Sequence, residues 1–222
     1  MKKSRIAAML AACVMAAGAL AGCGDSGSGG GSTKKSGGAV GEVGGSKTEK
    51  GARQAVEDLW DCYLTKNSAE DQYALMFPSD LMKKYKKEDP DGYDDYMDYF
   101  NERVEDDRDK YRSISVKEFT SVEEIDDDIL DGAIYYFMRA ASNFGIDEDD
   151  ADSDISKGYE IRYAVEYEFT GGGTDTVRET CCAVWIDGDG WKIIRSCDAD
   201  VLEDYAEYYK EAEKGDKYDD EG

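Results

Sequence analysis

The chain has 222 residues, with 51 Asp and Glu against 27 Lys and Arg, a net charge of −24 and no histidine. So acidic a surface repels nucleic acid and anionic lipid headgroups, and the missing imidazole removes Ser-His-Asp catalysis, Cys-His catalysis and histidine metal sites. Sixteen Tyr, 6 Phe and 3 Trp, mostly at regular spacing, nevertheless supply the apolar area that a folded core requires.

Lys2, Lys3 and Arg5 precede an apolar, Ala-rich run from Ile6 to Leu20. This pattern is a secretory leader, too short to span a bilayer as a mature helix. It ends in Leu20-Ala21-Gly22-Cys23, which resembles the lipobox of bacterial lipoproteins. The resemblance implies that residues 1–22 are a signal peptide and that Cys23 is the lipidation site and mature N-terminus. It places the protein, lipid-anchored, on the extracytoplasmic face of the cell membrane. Each buried CH₂ of an acyl chain contributes about 0.8 kcal/mol, so the two or three chains usual in that family hold a protein stably. Residues 23–45 form a Gly/Ser-rich flexible linker, and a spacer of this kind sets the folded part about 30 Å from the lipid. No later run is apolar enough to cross a membrane.

Residues 46–213 have the length of one domain, and residues 214–222 read as an acidic disordered tail. Ala52, Ala55, Val56, Leu59, Trp60 and Tyr63 fall at helical spacing within Thr48 to Lys66. Ser68-Ala69-Glu70-Asp71 resembles a capping box that opens a short helix ending at Phe77, before Pro78. A further turn or two follows over Ser79 to Lys87. Tyr93, Tyr96, Met97, Phe100, Val104 and Tyr111 then line one face of a long, otherwise charged helix. Ser113 to Thr120 reads as a short strand, and Ser121-Val122-Glu123-Glu124 as the capping box of a helix that runs to Gly145. Gly132 costs that helix up to about 1 kcal/mol against alanine, which points to close packing on a neighbour.

Tyr159, Ile161, Tyr163, Val165, Tyr167 and Phe169 alternate with Glu160, Arg162, Ala164, Glu166 and Glu168. The alternation predicts a strand with its odd positions in the core and its charged even positions in solvent. Turns at Gly171-Gly172-Gly173 and Asp187-Gly188-Asp189-Gly190 add strands over Thr174 to Ile186 and Trp191 to Cys197. A helix over Asp200 to Lys214 closes the chain.

Helices first, then a strand, a helix and a long antiparallel meander make an α+β domain. The order resembles the nuclear transport factor 2-like superfamily, and the hairpin Val184 to Ile194 is similar to small Gram-positive lipoproteins with a domain of unknown function. The resemblance implies a cone-shaped curved antiparallel sheet packed on the N-terminal helices, with the C-terminal helix as an addition. Such a cone holds an apolar ligand, holds an active site, or is filled, and sheet-to-sheet homodimers are common in the superfamily.

Asp150, Asp152 and Asp154 match the opening of a calcium loop, but Ile155 and Ile161 stand where the turn glycine and the bidentate Glu belong, so no metal site is expected. Asp187 and Asp189 are explained by the turn itself. Glu160, Glu166 and Glu179 are candidate acids for the interior of a cone, and each is equally explained as the solvent side of a strand. Four cysteines remain beyond Cys23: Cys62, Cys181, Cys182 and Cys197. A three-residue loop over Gly188 to Gly190 sets Cys181 opposite Cys197 and favours that disulfide, with Cys62 paired with Cys182 or simply buried. A two-residue loop instead makes Cys182 diagonal to Cys197, at a Cα separation near 7–8 Å that is too long for easy bridging, and four buried free thiols are the alternative. With no histidine and a lipid tether, the reading is a non-enzymatic binding or interaction module of the cell envelope, partnered by a small apolar ligand or an envelope protein. An enzyme using a carboxylate or Tyr inside the cone is the alternative, and no cofactor is implied.

Overall fold

A computed structural model describes residues 46–148 and 153–219. Helix α1, Glu49–Asp61, is started by Thr48, whose side chain accepts from the Gly51 amide, and it buries Ala52, Ala55, Val56, Leu59 and Trp60 on one stripe. Its first turn lies close to the chain before it, because Gly51 leaves room for the Ser46 carbonyl and the Trp191 indole. Helix α2, Ser68–Met76, begins after Asn67, which makes no side-chain cap bond. Ser68 is thus inside the helix and donates to the Tyr63 carbonyl instead of capping. Helices α3, Ser79–Glu88, and α4, Pro90–Lys110, follow; Asp89 caps α4 through the Gly92 amide, and Pro90 takes the first-turn position where a missing N–H costs nothing.

Strand β1, Tyr111–Glu124, is longer than its weak alternation suggests, and it takes over both Tyr111 and the expected capping box at Ser121 to Glu124. Pairing with β2 overrides the local cap signal there, and Ser121 lies opposite Arg162. Helix α5, Asp127–Phe144, ends on left-handed Gly145. Strands β2, Ile155–Phe169, β3, Thr174–Ile186, and β4, Gly190–Arg195, complete an antiparallel sheet of order β1-β2-β3-β4. Three register shifts between β1 and β2 break the ladder of the β1 edge, a device that bends a strand and blunts edge pairing. Helix α6, Ala199–Asp219, runs past Lys214, where a tail was expected; Glu211, Ala212, Glu213 and Lys214 are all good helix formers.

The odd positions of β2 are buried as expected, with Tyr159, Ile161, Tyr163 and Val165 at 7%, 0%, 2% and 0% exposure. Tyr167 and Phe169, nearer the strand end, are half-buried. The even face departs from expectation. Arg162 is exposed, but Glu160 is buried, because α5 and α6 cover this side of the sheet. A Cβ on Gly158 would meet Leu130 and Ile125. Glu160 accepts from Arg162 Nε at 2.7 Å and from the Ala199 amide at 2.9 Å, and so holds the first turn of α6 on the sheet. Farther along the strand the even face is a charged ladder, with Lys117 on Glu166 at 2.8 Å and Arg112 on Glu168 at 2.7 Å.

The last hairpin corrects the expected cysteine register. The loop is Asp187-Gly188-Asp189, so Ile186 stands opposite Gly190 and Cys181 opposite Arg195, not Cys197. Cys181, Cys182 and Cys197 are buried and Cys62 is half-buried.

Candidate functional site

Alternation along three strands gathers one polar cluster on the α1 face of the sheet. Tyr163 and Tyr167 share that face of β2, Glu179 of β3 lies directly opposite Tyr163, and Arg195 closes β4 opposite Cys181. Glu179 and Arg195 are therefore diagonal neighbours, with a Cα separation near 7–8 Å. Beyond Arg195 the fourth strand ends, so Glu179 has no neighbour on that side in the ladder.

Helix α1 and the turn after it bring two more rings. The Trp60 indole N–H donates to the Tyr163 hydroxyl at 3.3 Å, and its ring meets Tyr63 at 5.8 Å and the Tyr167 edge at 6.2 Å. Tyr111 extends the wall, 5.2 Å from Tyr167. The Arg195 guanidinium lies over the Trp60 ring, 4.8 Å from its centroid, a cation–π contact that leaves its N–H fork in the plane of the guanidinium and available to a ligand. Helix α4 backs the cluster: Tyr63 donates to Asp107 at 2.8 Å, and Arg108 Nε donates to the Leu64 carbonyl at 3.1 Å.

Burial governs the electrostatics. It raises the Glu179 carboxyl above the usual range, with the Arg195 charge partly opposing the shift. Yet among the described residues neither group forms a direct ion pair with the other or with any third residue. Burial also pushes Tyr167 up to about 12 and raises Tyr63 and Tyr163 farther, so these phenols stay neutral at physiological pH. The arrangement is a half-buried rim of Tyr63, Tyr111 and Tyr167 over buried Trp60 and Tyr163, carrying one carboxylate and one guanidinium, each with unused hydrogen-bonding capacity.

Of the three candidate acids only Glu179 belongs here. Glu160 anchors α6 on the opposite face, and Glu166 pairs with Lys117 on the solvent side. Arg195 and Trp60 escaped the sequence reading because a charge near a strand end and a Trp on a helix stripe carry no signal until the register joins them. Cys181 is buried on the α1 face, where desolvation raises its thiol, and Cys62, pushed up to about 12, donates to the Leu59 carbonyl.

Asp150, Asp152 and Cys23 lie outside the described residues; Asp154 accepts from the Asp187 amide through its backbone carbonyl at 3.0 Å. Among the described residues no group of three or more Cys, Asp or Glu is placed to hold a metal ion, and no helix is long and apolar enough to cross a membrane. Asp187 and Asp189 tie the hairpin to its surroundings. Asp187 accepts from Ser156 and Trp185, and Asp189 accepts from the Ser79 amide at 2.6 Å and pairs with buried Lys192 at 3.2 Å.

No protein family, no curated protein and no solved structure matches the chain.

Proposed function

We propose that this is a lipoprotein of the cell envelope, held at the extracytoplasmic face of the membrane by acylated Cys23, whose single domain is a non-enzymatic binding module. The leader and lipobox support the address. The four-stranded antiparallel sheet with α1 across one face supports the finer assignment of a nuclear transport factor 2-like cone. The observation that carries the binding reading is the half-buried rim of Tyr63, Tyr111 and Tyr167, backed by buried Trp60 and Tyr163, with Glu179 and Arg195 in no ion pair beside it. A largely apolar surface with few convergent polar groups is the usual composition of a small-molecule site. A ligand with an apolar body and a charged end fits that chemistry, since the rings take the body and Arg195 or Glu179 the charge.

The test is a thermal-shift and native mass-spectrometry screen against small envelope metabolites, run on the wild type, Arg195→Met and Glu179→Gln. A ligand at a hundredfold excess over its Kd stabilises the fold by about 2.7 kcal/mol. That gain should shrink in at least one variant. A screen with no stabilising compound, or one whose hits are indifferent to both substitutions, overturns the reading. A second reading is favoured by Glu179 itself: its burial-raised carboxyl is suited to accept a proton from a bound substrate. In that case Glu179→Gln retains binding but loses turnover.

A further inference from the structure

The opposite face of the sheet carries a second feature, independent of the aromatic wall. Cys182 lies across from Ile194 on the even face, where Glu160 is its neighbour on β2. Had β4 continued straight, Cys197 would have been carried away along the strand direction. Instead β4 stops at Arg195, and Ser196 adopts a left-handed φ of 53°, a conformation rare outside glycine and the short polar residues and held here against its cost. That turn folds Cys197 back over the sheet, so the Cys182 thiol donates to the Cys197 carbonyl at 3.5 Å. Both residues are buried, at 0% and 4% exposure, and Cys197 lies immediately before the first turn of α6.

We propose that Cys182 and Cys197 form a disulfide that staples the start of α6 to β3. The other two thiols are excluded by position. Cys181 points to the α1 face beside Tyr163 and Arg195, and Cys62 sits at the end of α1, bonded to the Leu59 carbonyl. The Cys182 S–H donates toward Cys197, and that bond, followed by burial, raises the Cys182 thiol strongly. Such a thiol is a poor nucleophile once folded, so oxidation belongs to the folding chain, before α6 closes over it. The oxidant is a disulfide carrier of the exported space. One cysteine thiolate attacks the carrier's disulfide and forms a mixed disulfide; the second displaces the carrier's remaining thiolate. The two cysteines lose two protons and two electrons, and the carrier leaves as a dithiol.

The full-length chain is recovered from the expressing cells and also refolded in a glutathione redox buffer, alkylated without reduction, and digested with trypsin. Cys197 falls in the peptide Ser196 to Lys210, and Cys181 and Cys182 fall together in Glu179 to Lys192. The expected product is these two peptides joined, 2 Da lighter than their sum, in the wild type and in Cys181→Ala, and absent in Cys182→Ala. Fragmentation of the wild-type linked pair places the bond at Cys182 even where a variant fails to fold. Reduction should lower the unfolding midpoint by roughly 6–12 °C, as expected for a closed loop of this length. Linkage through Cys181 or Cys62, or four alkylated thiols after glutathione refolding, overturns the proposal.

Discussion

Gly132→Ala sets two well-known effects against each other, and the structure decides which wins. In an isolated helix the change stabilises, by up to about 1 kcal/mol, since alanine loses less backbone entropy than glycine. Here Gly132 is a point of close backbone approach between α5 and α6. A Cβ at that position would penetrate the Leu202 carbonyl oxygen, lie 2.8 Å from its carbonyl carbon and 3.0 Å from the Ala206 amide nitrogen. These are backbone atoms, so no rotamer change relieves the overlap. The helices must part, loosening the contacts of Leu202 and Ala206, buried at 0% and 3% exposure. Overpacking of this kind costs about 1–3 kcal/mol, and toward the upper end when backbone is involved. Subtracting the propensity gain leaves a net loss of about 1–2 kcal/mol, or roughly 2–8 °C in the unfolding midpoint of a domain this size. Urea and thermal unfolding of both proteins measure it. Gly171→Ala is the control, because no atom lies within 4 Å of the added carbon, and its change should stay within about 0.5 kcal/mol. A Gly132→Ala protein more stable than wild type would refute the close-packing argument and leave propensity as the ruling term.

Glu160→Ala removes the carboxylate that holds the Ala199 amide and Arg162; it should destabilise by about 1–3 kcal/mol and speed amide exchange in the first turns of α6, whereas unchanged exchange there would show that the anchor is idle. Alkaline titration should find stability falling from about pH 10 through about pH 12, because burial raises Tyr85 and Tyr167 to about 12 in the folded state and each phenol ionises first in the unfolded chain. Tyr85→Phe and Tyr167→Phe should each flatten that slope, and a profile indifferent to both would remove these phenols from the explanation. Cys23→Ser should release the protein from the membrane fraction or leave it uncut, and full membrane retention would contradict the lipid anchor.

Local pattern was enough for the helices and for the burial of one face of β2. An apolar stripe at 3.6-residue spacing or an alternation of period two has one low-energy way to bury itself, so Leu59, Trp60, Tyr163 and Val165 went where their spacing sent them. The glycine in α5 was legible for the same reason, since a residue that costs its own helix must be retained for a neighbour. Pairing between distant segments was not legible. The β1 ladder outcompeted a capping box at Ser121, and α5 and α6 buried an even face that charge alone assigned to water. A hairpin displaced by two residues from its expected register moved Cys181 from Cys197 to Arg195. With period two along each strand and a turn at Ser196 after it, that register determines which side chains meet: Glu179 joins Arg195 and Trp60 on one face, and Cys182 joins Cys197 on the other. Such meetings join residues far apart in the chain, and their energies depend on tertiary contacts that no local window of sequence contains.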